Sequence, residues 1–186
     1  MYRIALTIVL AILQYAPLQR TYWEDLSKKA QNATVSAVIK EGGIVSRYVT
    51  RKFVAGDSEQ MDSLLNALVR LPKDADKKNY YFHLFNKILR QADGATAEMV
   101  VEYARQMVLS DVDYVMGYIL DHKEYNTIYS EKIAENIYFS GEYLDDSLKI
   151  FDSFRLEVMK KYGGDSKRLN DFCATIRKHL VGLWND

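Results

Sequence analysis

The chain has 186 residues, 48% hydrophobic and 27% charged, with 25 basic and 25 acidic side chains. A balanced charge excludes a dedicated nucleic-acid binder, whose affinity needs an excess of Lys and Arg. The single cysteine, Cys173, excludes an intrachain disulfide framework.

The first twenty residues carry Arg3 and Arg20 and no acid. Residues 4–13, IALTIVLAIL, form a short apolar run behind the basic start. This is the order of a secretory signal, and it is too short to span a bilayer. Ala16 and Ala11 offer small residues for cleavage, while Gln14 and Pro17 fit poorly. Three readings stay open, one of them an uncleaved anchor. Residues 1–20 are a signal peptide, cleaved near residue 16, and the protein is exported to a periplasm or secreted. Alternatively they are a first core helix ended by Pro17, and the protein is cytoplasmic. Because the apolar run is too short to cross a bilayer unaided, no stable membrane span is expected.

Residues 21–186 read as one all-α domain, because two prolines and nine glycines are too few for many short strands. Residues 22–41 predict a helix with Tyr22, Leu26, Ala30, Ala33 and Ala37 at three- and four-residue steps, ended by Gly42 and Gly43. Residues 44–54, IVSRYVTRKFV, carry strand-type residues but also fit one helical face; helix is preferred because no pairing strand is near. Arg47, Arg51 and Lys52 make a small basic patch beside Tyr48 and Phe53, read as a solvated helix face. Asp57 and Gln60 resemble a capping box ahead of Met61, Leu64, Leu65 and Leu68. After Pro72 and the polar loop KDADKK, a helix carries Tyr81, Leu84, Phe85, Ile88 and Leu89 and closes at Asp93-Gly94.

From residue 95 the pattern is regular. Met99, Val100, Tyr103, Met107 and Val108 line one helix, and Ser110 and Asp113 cap the next. A helix over about 130–139 breaks at Gly141, a long one from Leu144 stops at Gly163-Gly164, and Leu169 to Leu183 mark the last. The expected architecture is a compact helical bundle or short solenoid-like array of about eight helices, with sequential neighbours antiparallel. Glycines 94, 117, 141 and 164 are nearly evenly spaced, but their surroundings differ, so no sequence repeat is assigned.

Six of the 14 tyrosines fall between 114 and 143. On a helical wheel of about 100° per residue, Val112, Val115, Met116, Ile119 and Leu120 share one side. Tyr114, Tyr118, Asp121 and, if the helix continues, Tyr125 stack on the other. Tyrosine has a large apolar body and a polar tip, which suits binding hot spots. These four residues are the candidate partner-binding site. The competing reading is that a central helix is covered on both faces.

No catalytic residues are assigned. Asp121 and Glu124 could share a metal-binding face, but His122 points away from both, so no metal is expected. A hydrolase would need Asp111, Asp121, His122 and Glu124 to converge. His83 between Phe82 and Leu84 reads as partly buried, and His179 as a helix-end charge. Cys173 lacks a neighbouring base and reads as an inert thiol. Asp145 and Asp146 suit a first helical turn. No phosphate loop, nucleophile elbow or zinc spacing is present, and no cofactor is expected. The leading functional reading is a non-enzymatic protein–protein interaction module, of adaptor, chaperone-like or inhibitor type, with another protein as partner and no nucleic acid. A bacterial envelope would suit an exported chain. The alternative is a helical bundle that binds a small molecule or lipid, with Met and Tyr side chains lining its cavity.

Overall fold

The computed structural model describes residues 20–53, 56 and 59–185. Among these are nine α-helices and no strand, so the chain is all-α as expected. The helices are α1 (Lys28–Glu41), α2 (Gly43–Val49), α3 (Glu59–Val69), α4 (Ala75–Gln91) and α5 (Gly94–Ser110). They continue with α6 (Val112–Asp121), α7 (Lys123–Ser140), α8 (Leu144–Lys161) and α9 (Ser166–Asn185). A single 3₁₀ turn, Trp23–Asp25, precedes them. The signal-or-helix choice for residues 1–19 and the Asp57 cap lie outside the described residues. Among the described residues no helix is long and apolar enough to cross a membrane.

Helix α7 is the hub. It packs most extensively against α9 and α5, its next-but-one neighbours, and also touches α6 and α8. Serving two large interfaces, it buries Tyr129, Ser130, Ile133, Ala134, Asn136 and Ile137 around more than one face. The first half of the array is built around α4, which packs on α1, α3 and the 3₁₀ turn. Met61, Leu64, Leu65 and Leu68 of α3 are fully buried there. Each such side chain contributes about 1.5–3 kcal/mol by leaving water. Two buried tyrosine–asparagine bonds fix α4 against the later helices. Tyr114 Oη donates to Asn79 Oδ1 at 2.7 Å, and Tyr129 Oη donates to Asn86 Oδ1 at 2.8 Å. Asn79 and Asn86 are seven residues apart, so two helical turns separate the bonds on one face.

Several boundaries differ from the sequence reading. The helix expected from residue 22 begins at Lys28, where the Ser27 side chain accepts from the Ala30 N–H. Its buried positions are Thr34 and Val38, not the alanine stripe. The segment KDADKK is a loop only in part, because Asp74 caps α4 by accepting from the Lys77 N–H at 2.9 Å. The cap of α6 is Asp111, which accepts from the Tyr114 N–H, whereas Ser110 Oγ turns back to the Met107 carbonyl. The helix expected to start near 130 starts at Lys123. Of the segment 44–54 preferred as helix, residues 44–49 are helical; the helix ends at Val49, and Arg51, Lys52 and Phe53 lie beyond it, with Arg51 at φ +56°. Gly42 and Gly43, at φ +78° and +77°, let the chain turn between α1 and α2 with almost no loop.

Candidate functional site

The tyrosine row lies under a cover. Tyr114 and Tyr118 are 8% and 4% exposed. The Tyr22 ring sits over both, with centroids 5.4 and 4.8 Å away, and Phe82 of α4 meets both edge-on from below. Tyr118 also stacks on His122 at 4.0 Å. Beside Tyr22, Trp23 packs on Tyr80 at 4.6 Å and His83 at 5.6 Å. Offset and edge-on ring pairs of this kind each add about 0.5–1.5 kcal/mol beyond burial. The α4–α6 face is therefore an aromatic slot, and the chain's own residues 20–25 fill it.

Polar contacts anchor both ends of this strap. Arg20 donates to Asp113 Oδ1 at 2.9 Å and lies flat on Gly117, where an added β-carbon would meet its guanidinium at 2.7–2.8 Å. Asp113 also accepts from the Gly163 N–H at 3.1 Å, so it joins the strap to the α8–α9 turn. At the other end Glu24 meets His83 Nδ1 at 3.2 Å, and that hydrogen bond holds its carboxyl below the usual range. Burial pushes the Tyr22 phenol up to about 12 and drives Tyr114 and Tyr118 upward as well. All three are neutral hydroxyls at physiological pH. Tyr114 has Asn79 as its acceptor, but Tyr22 Oη and Arg20 Nε are buried without a hydrogen-bond partner.

The row is not an open surface, in keeping with the competing reading of a central helix covered on both faces. Tyr114 and Tyr118 are core side chains, because the strap covers the face that a wheel leaves blank. The helix does not continue to Tyr125. It ends at Asp121, where Arg168 of α9 donates to the Leu120 carbonyl and, at 3.0 Å, to Asp121. Tyr125 belongs to α7, half-buried, with its ring 5.1 Å from Tyr118 and the Arg90 guanidinium 5.9 Å from its centroid. Of the four candidate residues, only Asp121 and the edge of Tyr125 reach the surface.

The groups considered for hydrolysis have other partners. Asp111 pairs with Lys78, Asp121 with Arg168 and Glu124 with Arg90, at 2.9–3.0 Å. Asp111 and Asp121 flank opposite ends of α6, about 15 Å apart at 1.5 Å per residue. Among the described residues no three His, Cys, Asp or Glu side chains are placed to hold a metal ion. Burial pushes the Cys173 thiol up to about 11, the reverse of an activated nucleophile. Met61, Met107 and Met116 are fully buried among other core side chains.

Sequence reasoning missed a second feature. A groove of about 520 Å³ runs between α5 and α7, lined by Val101 and Arg105 on one side and Asn136 and Phe139 on the other. Phe139 is 72% exposed, and Asn136 Oδ1 is buried without a partner. The only local signal was Phe139, an aromatic residue off the apolar stripe of its helix. Compared with known protein families, with curated proteins and with solved structures, the chain matches none of them.

Proposed function

We propose that this chain is a non-enzymatic protein-binding module whose α4–α6 slot holds an extended, aromatic segment of another polypeptide. The observation that supports this reading is the way the slot treats the chain's own residues 20–25. Tyr22 has extended backbone, φ −113° and ψ 172°, and the segment is held by rings and by polar contacts at its ends as a docked peptide would be. The fit is incomplete. A buried donor without a partner costs about 1–3 kcal/mol, and the strap carries two such groups in Tyr22 Oη and Arg20 Nε. A competing segment that placed no unpaired polar group in the slot would be spared that cost. Asp113 selects a cation, the Tyr114–Tyr118–His122 row a ring two residues later, and Tyr80 with His83 a second ring.

The test uses the full chain with Tyr22→Ala and Trp23→Ala, which empties the slot. A fluorescent synthetic peptide of residues 20–27 is titrated against it and against the unsubstituted protein. The variant binds the peptide, and the unsubstituted protein binds it far more weakly because its own strap competes. Absence of binding to a variant that keeps its helicity overturns the proposal.

A further inference from the structure

We infer that the α5–α7 groove is a second binding site, which takes the carboxyl-terminal end of a partner polypeptide whose last residue is apolar. It is separate from the α4–α6 slot and does not depend on it. Three features define its chemistry. Arg105 lies on one wall, half-buried, with no ion pair among the described residues although Glu98 and Glu102 line the same groove. Asn136 is 7% exposed, and its Oδ1 is buried with no donor. Val101, 3% exposed, forms an apolar floor beneath Phe139, which stands 72% exposed at the edge.

Each feature is an unmet demand. A guanidinium is a planar fork that matches a carboxylate in two parallel hydrogen bonds. An amide oxygen out of water needs an N–H or O–H. A large exposed ring beside a covered valine offers contact to an apolar side chain. The last residue of a polypeptide brings all three together: its carboxylate for Arg105, its backbone N–H for Asn136, and its side chain for Val101 and Phe139. The volume of about 520 Å³ lies within the range for small-ligand pockets and admits a few residues. Glu98 and Glu102 on the same wall repel a polyanion, which disfavours nucleic acid or multiply phosphorylated ligands at this site. Burial also lowers the Arg105 pKa, the mark of a cation removed from water without a counter-charge to compensate.

The experiment is calorimetric titration of the full chain with acetyl-Ala-Ala-Leu bearing a free carboxylate, with the same peptide as its carboxamide, and with free leucine. The free acid binds. The carboxamide binds roughly ten- to hundredfold more weakly, the range expected for losing a charge-assisted hydrogen bond. Arg105→Gln weakens the acid to the level of the carboxamide. Phe139→Ala, at an exposed position, weakens both peptides without changing the unfolding midpoint. Asn136→Leu weakens binding a few- to tenfold and raises stability, because it removes a buried acceptor that nothing satisfies. Equal binding of acid and carboxamide overturns the inference, as does undetectable binding of the acid at millimolar concentration. Free leucine binding as tightly as the tripeptide assigns the groove to an amino acid instead and also overturns it.

Discussion

Gly117→Ala removes the Arg20 anchor of the strap while leaving the bundle intact. A β-carbon at 117 would lie 2.7 Å from Arg20 Cδ and Nε. That is about 1 Å inside ordinary contact. Helix α6 has no reason to yield, since alanine is about 1 kcal/mol better than glycine in a helix interior. Arg20 therefore swings away and its 2.9 Å bond to Asp113 breaks. That pair is partly exposed, 23% and 39%, and such pairs contribute less than about 1 kcal/mol. The two effects nearly cancel, so the unfolding midpoint hardly moves. The strap keeps its ring contacts but opens more often, up to about fivefold for the lost pair. In a Trp184→Phe background Trp23 is the only tryptophan, packed against Tyr80 and His83. Its quenching by iodide rises severalfold in Gly117→Ala, with far-UV circular dichroism unchanged. Unaltered Trp23 quenching would refute the reasoning, because Arg20 would then not anchor the strap. A stability loss above about 3 kcal/mol would refute it differently, by showing that α6 cannot accept the methyl group.

Tyr129→Phe strands the buried Asn86 Oδ1 and costs about 1–3 kcal/mol. At roughly 2–4 °C per kcal/mol for a chain of this size, the melting temperature falls measurably. Adding Asn86→Leu restores part of the loss, and a double-mutant cycle returns a coupling energy; strict additivity would show that this bond does not tie α4 to α7. In alkali, Tyr22 and Tyr80, both pushed up to about 12 by burial, stay neutral in the fold while their unfolded counterparts ionise at 10. The folded state then binds more protons, so their stabilisation is complete below pH 10 and is lost as pH rises towards 12. Tyrosinate absorbance from the late-titrating group and loss of helix signal coincide; complete tyrosine ionisation near pH 10 with helicity intact would contradict the burial of these rings.

Most of the helices were legible because their stripes are strong. Met61, Leu64, Leu65 and Leu68 recur at helical spacing and all four are fully buried. The capping aspartates were partly legible. Asp74 sits inside a run of charges that reads as loop, and only its bond to the Lys77 N–H shows the helix starting there. The end of α6 was not legible at all. Leu120-Asp121-His122 contains no glycine or proline, and local propensity would carry the helix through to Tyr125. What ends it is Arg168, 48 positions away, which takes the Leu120 carbonyl and thereby satisfies a terminal acceptor that a continuing helix would have bonded. Residues 22–26 failed for the same reason. Tyr22 and Leu26 extend the apolar spacing of α1, but Tyr22 and Trp23 have ring partners on α4 and α6 that exceed the gain from one more helical turn.

The wheel placed Tyr114 and Tyr118 on one face and left two readings of it, a binding face or a covered one, and the burial of both rings favours the second. A helix with apolar residues on one side and tyrosines on the other is suited to burial on both. In α6 all eight residues from Val112 to Leu120 except Asp113 are buried. The distinction lies in the hydroxyls. Tyr114 Oη finds Asn79 on α4, a partner fixed by two packed helices, so this half of the contact is committed to the fold. Tyr22 Oη, one ring further out, finds nothing. Where a buried hydroxyl is satisfied, replacing its neighbour costs a hydrogen bond; where it is unsatisfied, a better neighbour gains one. On the proposed reading, the boundary between structure and binding surface falls between Tyr22 and Tyr114, whose tilted rings have centroids 5.4 Å apart, with α4 and α6 as the permanent wall and residues 20–25 as the exchangeable occupant.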